Sequence, residues 1–467
     1  MASILSSIWF TSKDSLSYIS KNRLLILSEK ELPMKKFNPS QKILFPVKDV
    51  FNVKDPLAKY ETLFSFLNLS AFKNLYASTG RPRVSYESIL KALIFKNLRG
   101  LSSFSDLVRE LSDNPELVFL LGLNPEKPLY VELFSAFLKN LPHHCLEEIK
   151  TCLIIKLIDA GEITGQYLSF DSTNIPAKVK ENNLKTSIAS RFDKTRFPKG
   201  DPDCRLGVMV HFPQPFKKEI RFFWGYKNFV LADAISELPI LEVTKPANIH
   251  DAKIALPLLK EISERFNFNI SGVMADAALD SPDVLSFILD DLKAAPYIPQ
   301  NLRNTGHPRS QLAISPSGKR VCLAGFEMLD WGKFKEGNRI RRKFVCPITH
   351  SKKFSKHHPS CSLLESSLFN KKNGCTSYIQ VVSDDIRKRI EYGTEKFKKM
   401  YNMRTGSERI FSRLLSLCMN NPSVRGLNAV SNHATIAHIT VLLVALAAIK
   451  SGNKDKTRFV KSLLPFL

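Results

Sequence analysis

A chain of 467 residues, 44% of them hydrophobic, is long enough for two to four domains with real cores and too apolar for a disordered polymer. Its 68 Lys and Arg against 44 Asp and Glu leave a formal charge of +24, a basic footprint whose first candidate partner is nucleic acid. Eight cysteines in a chain this long, behind an N-terminus (MASILSSIWFTSKDSLSYIS) with no basic start and no clean apolar core before a cleavage site, exclude a disulfide framework and point to a cytoplasmic protein with reduced thiols.

Residues 1–55 carry mixed signals and stay unassigned. From 56 to 157, LAKYETLFSFLNLSAFKNLY and SYESILKALIFKNLRGLSSFSDLVRELS repeat apolar residues at three- and four-residue spacing, which predicts a helical domain. Ser85 opens its second helix, and Gly80-Arg81-Pro82-Arg83 makes a basic turn before it, a candidate DNA contact through Arg81 and Arg83. From 158 to 299 the texture becomes α/β. GQYLSFDS, LGVMVHF and IRFFWGYKNFVLADA are rich in aromatic and β-branched residues. The helix HDAKIALPLLKEISERF, the short run ISGVMAD, the helix-like SPDVLSFILDDL and the strand AAPYIP follow. A mixed sheet covered by helices is expected. Residues 300–392 break that rhythm, with short strands at best. Within 301–400, 21 Lys and Arg face 8 Asp and Glu, so about a fifth of the chain holds more than half of the excess charge. Helical periodicity returns over 393–467. Its most apolar stretch, ATIAHITVLLVALAAI, is shorter than the roughly 18–20 residues of a membrane span and contains His438, which predicts a buried core helix. His433 and His438 read as core or capping residues.

Two apolar runs end in a carboxylate, SFD at Asp171 and VMAD at Asp276. A bare carboxylate at the end of a core strand is costly without a cation beside it, and two of them at one sheet edge repel. A divalent ion suits an all-oxygen site, and Mg²⁺ or Mn²⁺ suits carboxylate and water ligands. A third carboxylate would allow two metals roughly 3.5–4 Å apart, an arrangement for in-line displacement at phosphorus. Glu408 is that candidate, with Arg404 and Tyr401 expected on the same face of one helix; Glu391 and Glu395 are nearby rivals. Each residue also has a plainer reading. Asp171 before Ser-Thr makes an Asx turn, Asp276 caps a helix, and Glu408 with Arg404 is a surface ion pair.

Several stretches together resemble a DDE transposase of bacterial insertion sequences, the branch with an RNase H-like core and a Tyr-Arg-Glu helix. They are TGRPRVSYESILKALIFKNLRGLSSFSDLVREL, YLSFDSTNIPAK, DPDCRLGV with FFWGYKNF, VTKPANIHDAKIALPLL, SGVMADAALDS and YNMRTGSERIFSRL, over roughly residues 40–450. The resemblance implies an RNase H-like mixed sheet flanked by helices, with an N-terminal helical DNA-binding domain and a basic insertion before the Glu helix. It implies Asp171, Asp276 and Glu408 as catalytic metal ligands, and Tyr401, Arg404 and Lys227 (of the GYK motif) toward DNA. It implies Mg²⁺-dependent hydrolysis at transposon ends, attack of the freed 3′-hydroxyl on target DNA, and a homodimer holding two ends. The sequence departs from the pattern at Leu415, where the signature often has Lys, and at Phe229, where His is common; Arg413 is a candidate substitute for the former, and the alternative is that nothing replaces it.

In the basic segment, Cys322, Cys346, Cys361 and Cys375 offer four soft ligands for a structural Zn²⁺, at long spacings with no C-x2-C pair; free buried thiols are the plainer reading. KFKEGNRIRRKF, with Arg341, Arg342 and Lys343, suits phosphates, and Trp331 suits an unpaired base. The rival functions are a transposase-derived regulator that binds DNA without cutting and a site-specific nuclease that cuts without strand transfer.

Overall fold

The computed structural model describes residues 57–76, 84–214, 217–301, 319–336, 339–358, 360–365, 372–380 and 386–461. Arg81 and Arg83 lie outside the described residues. The chain divides into two compact units, one running to Met274 and resuming at Asn402–Leu467, the other Ala275–Tyr401.

Among the described residues the first unit opens with six α-helices: α1 (Ala58–Ser65), α2 (Tyr86–Arg99), α3 (Phe104–Asp113), α4 (Pro115–Leu120), α5 (Val131–Asn140) and α6 (His143–Asp159). Their boundaries are written locally. Ser85 accepts from Ser88 N to start α2, and Gly100, at φ 65°, ends it in the left-handed conformation that glycine adopts without penalty. Ser103 and Asp106 form a reciprocal capping box on α3.

The sheet follows: β1 (Tyr167–Pro176), β2 (Arg205–Gln214), β3 (Lys217–Asp233) and β4 (Leu238–Pro246), then helix α7 (Asp251–Arg265) and β5 (Gly272–Met274). The first half of β3 pairs with β2. Its second half runs antiparallel between β1 and β4, with Asp171 opposite Val230. β5 lies parallel to the start of β1, from Tyr167 opposite Gly272 to Ser169 opposite Met274. Antiparallel β1, β3 and β4, with β2 extending the long hairpin of β3, then a parallel step, with helices on both faces: this is the RNase H-like arrangement that the resemblance implies. β4 is a strand that the sequence pattern had not marked.

Among the described residues two α-helices close this unit, α12 (Thr405–Ser416) and α13 (Leu427–Lys450); α11 (Glu395–Asn402), which precedes them in the chain, belongs to the second unit as far as Tyr401. α13 is 24 residues, longer than the apolar run suggested. Its start is set by the DPD motif: Asp201 accepts from Gly426 N and Asp203 from Leu427 N. Among the described residues it is the one helix long and apolar enough to cross a membrane, but 94% of its most apolar window is buried inside the protein. Truncating a fully buried leucine of α13, such as Leu442, costs about 2–5 kcal/mol.

The second unit holds α8 (Pro282–Ser286) and β6 (Ala295–Tyr297). β7 (Leu329–Glu336), β8 (Arg339–Val345) and β9 (Thr376–Gln380) form an antiparallel sheet in that order. Two short helices, α9 (Pro347–His350) and α10 (Lys352–His357), lie in the β8–β9 connection. The basic segment is therefore better ordered into strands than its sequence suggests. One of its faces buries Phe344 in a small apolar cluster with Met328, Cys322, Cys346 and Cys375.

Candidate active site

Asp171 does not end its strand. It is the fifth residue of β1, which continues to Pro176 against β3. What ends there is the neighbour: the β1–β5 ladder stops at Ser169, so Asp171 stands just past the end of β5, with its strand pairing to β3. Its Oδ1 accepts from Ser172 N at 2.8 Å, and its Oδ2 lies 3.3 Å from Arg404 Nη1.

The same guanidinium reaches Glu408, with Nη2 2.9 Å from Oε1. Arg404 therefore bridges two of the expected carboxylates, and the cation that the sequence argument required beside Asp171 is present as a side chain. The bridge is partly wet: the Asp171 side chain is 20% exposed and that of Glu408 60%. Such a pair is held by geometry rather than by deep burial.

The expected single helix carrying Tyr401, Arg404 and Glu408 on one face is corrected. The helix breaks between Asn402 and Thr405, leaving Tyr401 on α11, stacked on Phe397 at 6.3 Å, and Arg404 at the N-cap of α12. Packing against the sheet sets the axis of α12. Ser407 Oγ meets Ser169 Oγ at 2.5 Å in the interior. Gly406 passes so close to the β3–β4 turn that a Cβ would come within 3.2 Å of Glu237 Cγ. Ser169 and Asp171 share a face of β1, so this docking presents Glu408 on the face that carries Asp171.

Asp276 follows β5 by two residues and belongs to the second unit. Its Oδ1 accepts from Ala278 N at 2.9 Å, capping a single 3₁₀ turn, so the capping geometry is present. Of the rivals for the third carboxylate, Glu395 pairs with Lys398 at 2.8 Å on an exposed helix face.

Lys227 is engaged elsewhere. It pairs in register with Asn174, which alternation puts on the sheet face opposite Asp171. There its Nζ lies 2.9 Å from Asp251 Oδ1, and Asp251 Oδ2 accepts from Ser172 Oγ at 2.7 Å. The trio ties the first turn of α7 to the sheet. Arg413 is held by one arm, with Nη2 donating to the Glu237 carbonyl at 2.5 Å.

In the second unit Trp331 is 57% exposed, beside a bulge at Gly332 (φ 96°). Its ring centroid lies 4.9 Å from that of His350. With Lys333, Lys343 and Tyr378 it lines a cleft of about 290 Å³. Tyr378 pairs in register with Lys343 and is itself largely exposed, an aromatic that sequence reading passed over inside TSYIQ. Arg342 is ion-paired to Asp330, whose carboxyl is held below its usual range by that hydrogen bond. Arg341 is half-buried in β8.

Among the described residues, the four cysteines of the zinc expectation do not bring three or more ligand atoms within 4.8 Å of one another. Cys322, Cys346 and Cys375 are buried in the apolar cluster, and Cys361 accepts from Leu363 N. Among the described residues, the single group of three or more His, Cys, Asp or Glu whose ligand atoms lie within 4.8 Å of one another is His143, Glu147 and Glu242. That group already has its cation. Lys150 Nζ sits 2.7 Å from Glu147 Oε1 and 3.3 Å from Glu242 Oε1. A metal there would confront a buried ammonium. His433 and His438 are buried in α13, and burial pushes both imidazoles down to about 4, so they are neutral in ordinary buffers.

Comparison with known proteins adds the family. The Transposase domain (DUF772) matches residues 45–140, and the Transposase DDE domain matches residues 168–443. Curated proteins give no match. A solved structure titled as the cryo-EM structure of a piggyBac transposase synaptic complex with hairpin DNA is similar at 14% identity and a TM-score of 0.36, over 89% of this chain and 81% of that one. That likeness is too loose to argue from. The DDE match runs from the strand of Asp171 past the helix of Glu408 and spans more than half of the sequence, so this chain belongs to the Transposase DDE domain family.

Proposed function

We propose that this transposase cuts DNA at the ends of a mobile element and joins the freed 3′-hydroxyl to target DNA, with Asp171, Asp276 and Glu408 holding divalent metal, Mg²⁺ or Mn²⁺. The observation that carries this reading is the Arg404 bridge, which brings Asp171 and Glu408 to a single cation at 3.3 and 2.9 Å. An all-oxygen donor pair fits a hard divalent ion. When bound, such metal activates the attacking oxygen and steadies the leaving one at phosphorus. Asp276 enters through the sequence pattern alone.

The rest of the reading assigns work to the chain itself. Arg404 orients Asp171 and Glu408 and supplies a guanidinium for a phosphate oxygen once those carboxylates have another partner. Lys343, Arg341 and Arg342 neutralise backbone phosphates, and Trp331 takes an unpaired base. A homodimer holds two ends in one complex. The charge of +24 favours this assignment to DNA.

The test is cleavage of a labelled duplex carrying the element's ends, with Mg²⁺, by the purified protein and by Asp171→Ala. Cleavage by the parent and at least a thousandfold less by the variant (about 4 kcal/mol of barrier), with DNA binding retained, supports the reading. Binding without cleavage by either protein replaces it with the regulator. Cleavage without strand transfer replaces it with the nuclease.

A further inference from the structure

We propose a second phosphate site, a pocket at the far end of α12 where Arg409, Arg413 and Arg458 surround Glu237 and take a phosphodiester of the DNA strand. It rests on the DNA-cutting reading for the source of its ligand and on its own geometry for the site. Glu237 sits in the β3–β4 turn at φ 57°, with its carboxylate almost wholly buried. Arg409 donates Nε and Nη2 to Oε1 at 2.9 and 2.6 Å, and Arg458 donates Nη1 to the same oxygen at 3.0 Å. Arg413 Nη2 lies 3.5 Å from Oε2. One carboxylate therefore faces three guanidiniums. It does not satisfy all of them: Arg413, only 12% exposed, keeps Nη1 buried with no hydrogen-bond partner among the described residues. A buried guanidinium N–H without an acceptor is costly, and its deficit is what an incoming oxyanion would repair. Consistently, burial and the neighbouring Arg458 and Arg409 outweigh Glu237 and push the Arg413 guanidinium down to about 10.

The three arginines line a cavity of about 620 Å³, together with Lys454 and the two further acids Glu162 and Asp455. Four cationic side chains against three acidic ones leave a single positive charge. That balance matches the one charge of a phosphodiester and disfavours a dianionic free phosphate. Arg413 is five residues beyond Glu408, about 7–8 Å along the helix axis. That is roughly two steps of a strand rising 3.4 Å per nucleotide. Five residues also turn the helix by about 140°, so the pocket opens on a different side of α12 from Glu408, and a strand lying at Glu408 has to follow the helix surface round to reach it.

The experiment is a fluorescence-anisotropy titration of an end-bearing duplex over a salt series, with the full chain and with Arg458→Gln; Arg409→Gln serves if that variant does not fold. The expected result is a several-fold weaker affinity and a salt slope smaller by about one. A lower melting temperature with unchanged affinity and slope would make the arginines an internal clamp and overturn the proposal. Replacing chloride by inorganic phosphate at equal ionic strength should not displace the duplex. Displacement that disappears in Arg458→Gln would assign the pocket to free phosphate and overturn the diester. A parent protein that cuts DNA while Arg458→Gln keeps its full slope loses this inference alone; a parent that binds no DNA loses both readings.

Discussion

Two places in the first unit hold a cation between carboxylates, and they differ in what surrounds them. At one, Arg404 spans Asp171 and Glu408, with Glu408 mostly in water. At the other, Lys150 lies between Glu147 and Glu242, with the Lys150 and Glu242 side chains only 1% and 2% exposed. Glu242 also accepts from Asn228 and Thr435, and His438 bonds Asn228 at 2.9 Å, so α6, β4 and α13 are stitched by one polar network. Burial alone would push the Glu242 carboxyl up, but the Lys150 ammonium holds it well below its usual range. The difference is exchangeability. An open bridge gives up its cation for another at little cost, whereas a sealed one cannot lose a partner without stranding a charge. The sealed cluster gathers metal-ligand types around a cation it cannot exchange and is structural; the open pair is the one that the proposed function uses.

The largest expected effect is at the sealed network. Lys150→Met strands Glu242 in the interior and should cost about 3–5 kcal/mol of unfolding free energy in urea. Adding Glu242→Gln should recover much of that loss, since replacing both members removes the stranded charge. If the single variant is as stable as the parent, the two bridges are not different in kind. Next comes pH. His433 and His438 titrate at about 4 in the folded chain against about 6.5 unfolded, so below 6.5 the unfolded state binds more protons. Their contribution is complete above 6.5 and is lost as pH falls toward 4, by up to about 1.4 kcal/mol per pH unit for each. His438→Gln should flatten that part of the urea-stability profile; an unchanged slope would deny that His438 is buried neutral.

The sequence carried the features set by local chemistry and missed those set by packing. Ser85, the Ser103–Asp106 box and the strands around Asp171 are legible because caps and β-branched runs act over a few residues. β4 was hidden by Pro239 and Pro246, which usually demote a strand. Among the described residues it pairs with β3 alone, and a bulge beside Ala232 accommodates Pro239. The break before Thr405 has no proline to announce it; the contacts of Gly406 and Ser407 with the sheet impose it. Lys227 looked like a DNA contact because its motif says nothing of Asp251, 24 residues away, which holds it. Arg413 looked like a substitute for the signature Lys because its motif says nothing of Glu237, 176 residues away, whose carbonyl it bonds.

The smallest effect separates the bridges most sharply. In Arg404→Gln the carboxylates lose their guanidinium, yet Glu408 remains open to water, so the unfolding free energy should change by no more than about 1 kcal/mol. The positive charge that competes for the same oxygens is also gone, so Mn²⁺ measured calorimetrically without DNA should bind a few-fold more tightly. Weaker Mn²⁺ binding would mean that Arg404 builds the metal site and does not merely stand in it. A stability loss like that of Lys150→Met would mean that the open bridge is as structural as the sealed one. Tighter metal with unchanged stability is the signature of a cation kept between Asp171 and Glu408 to be replaced.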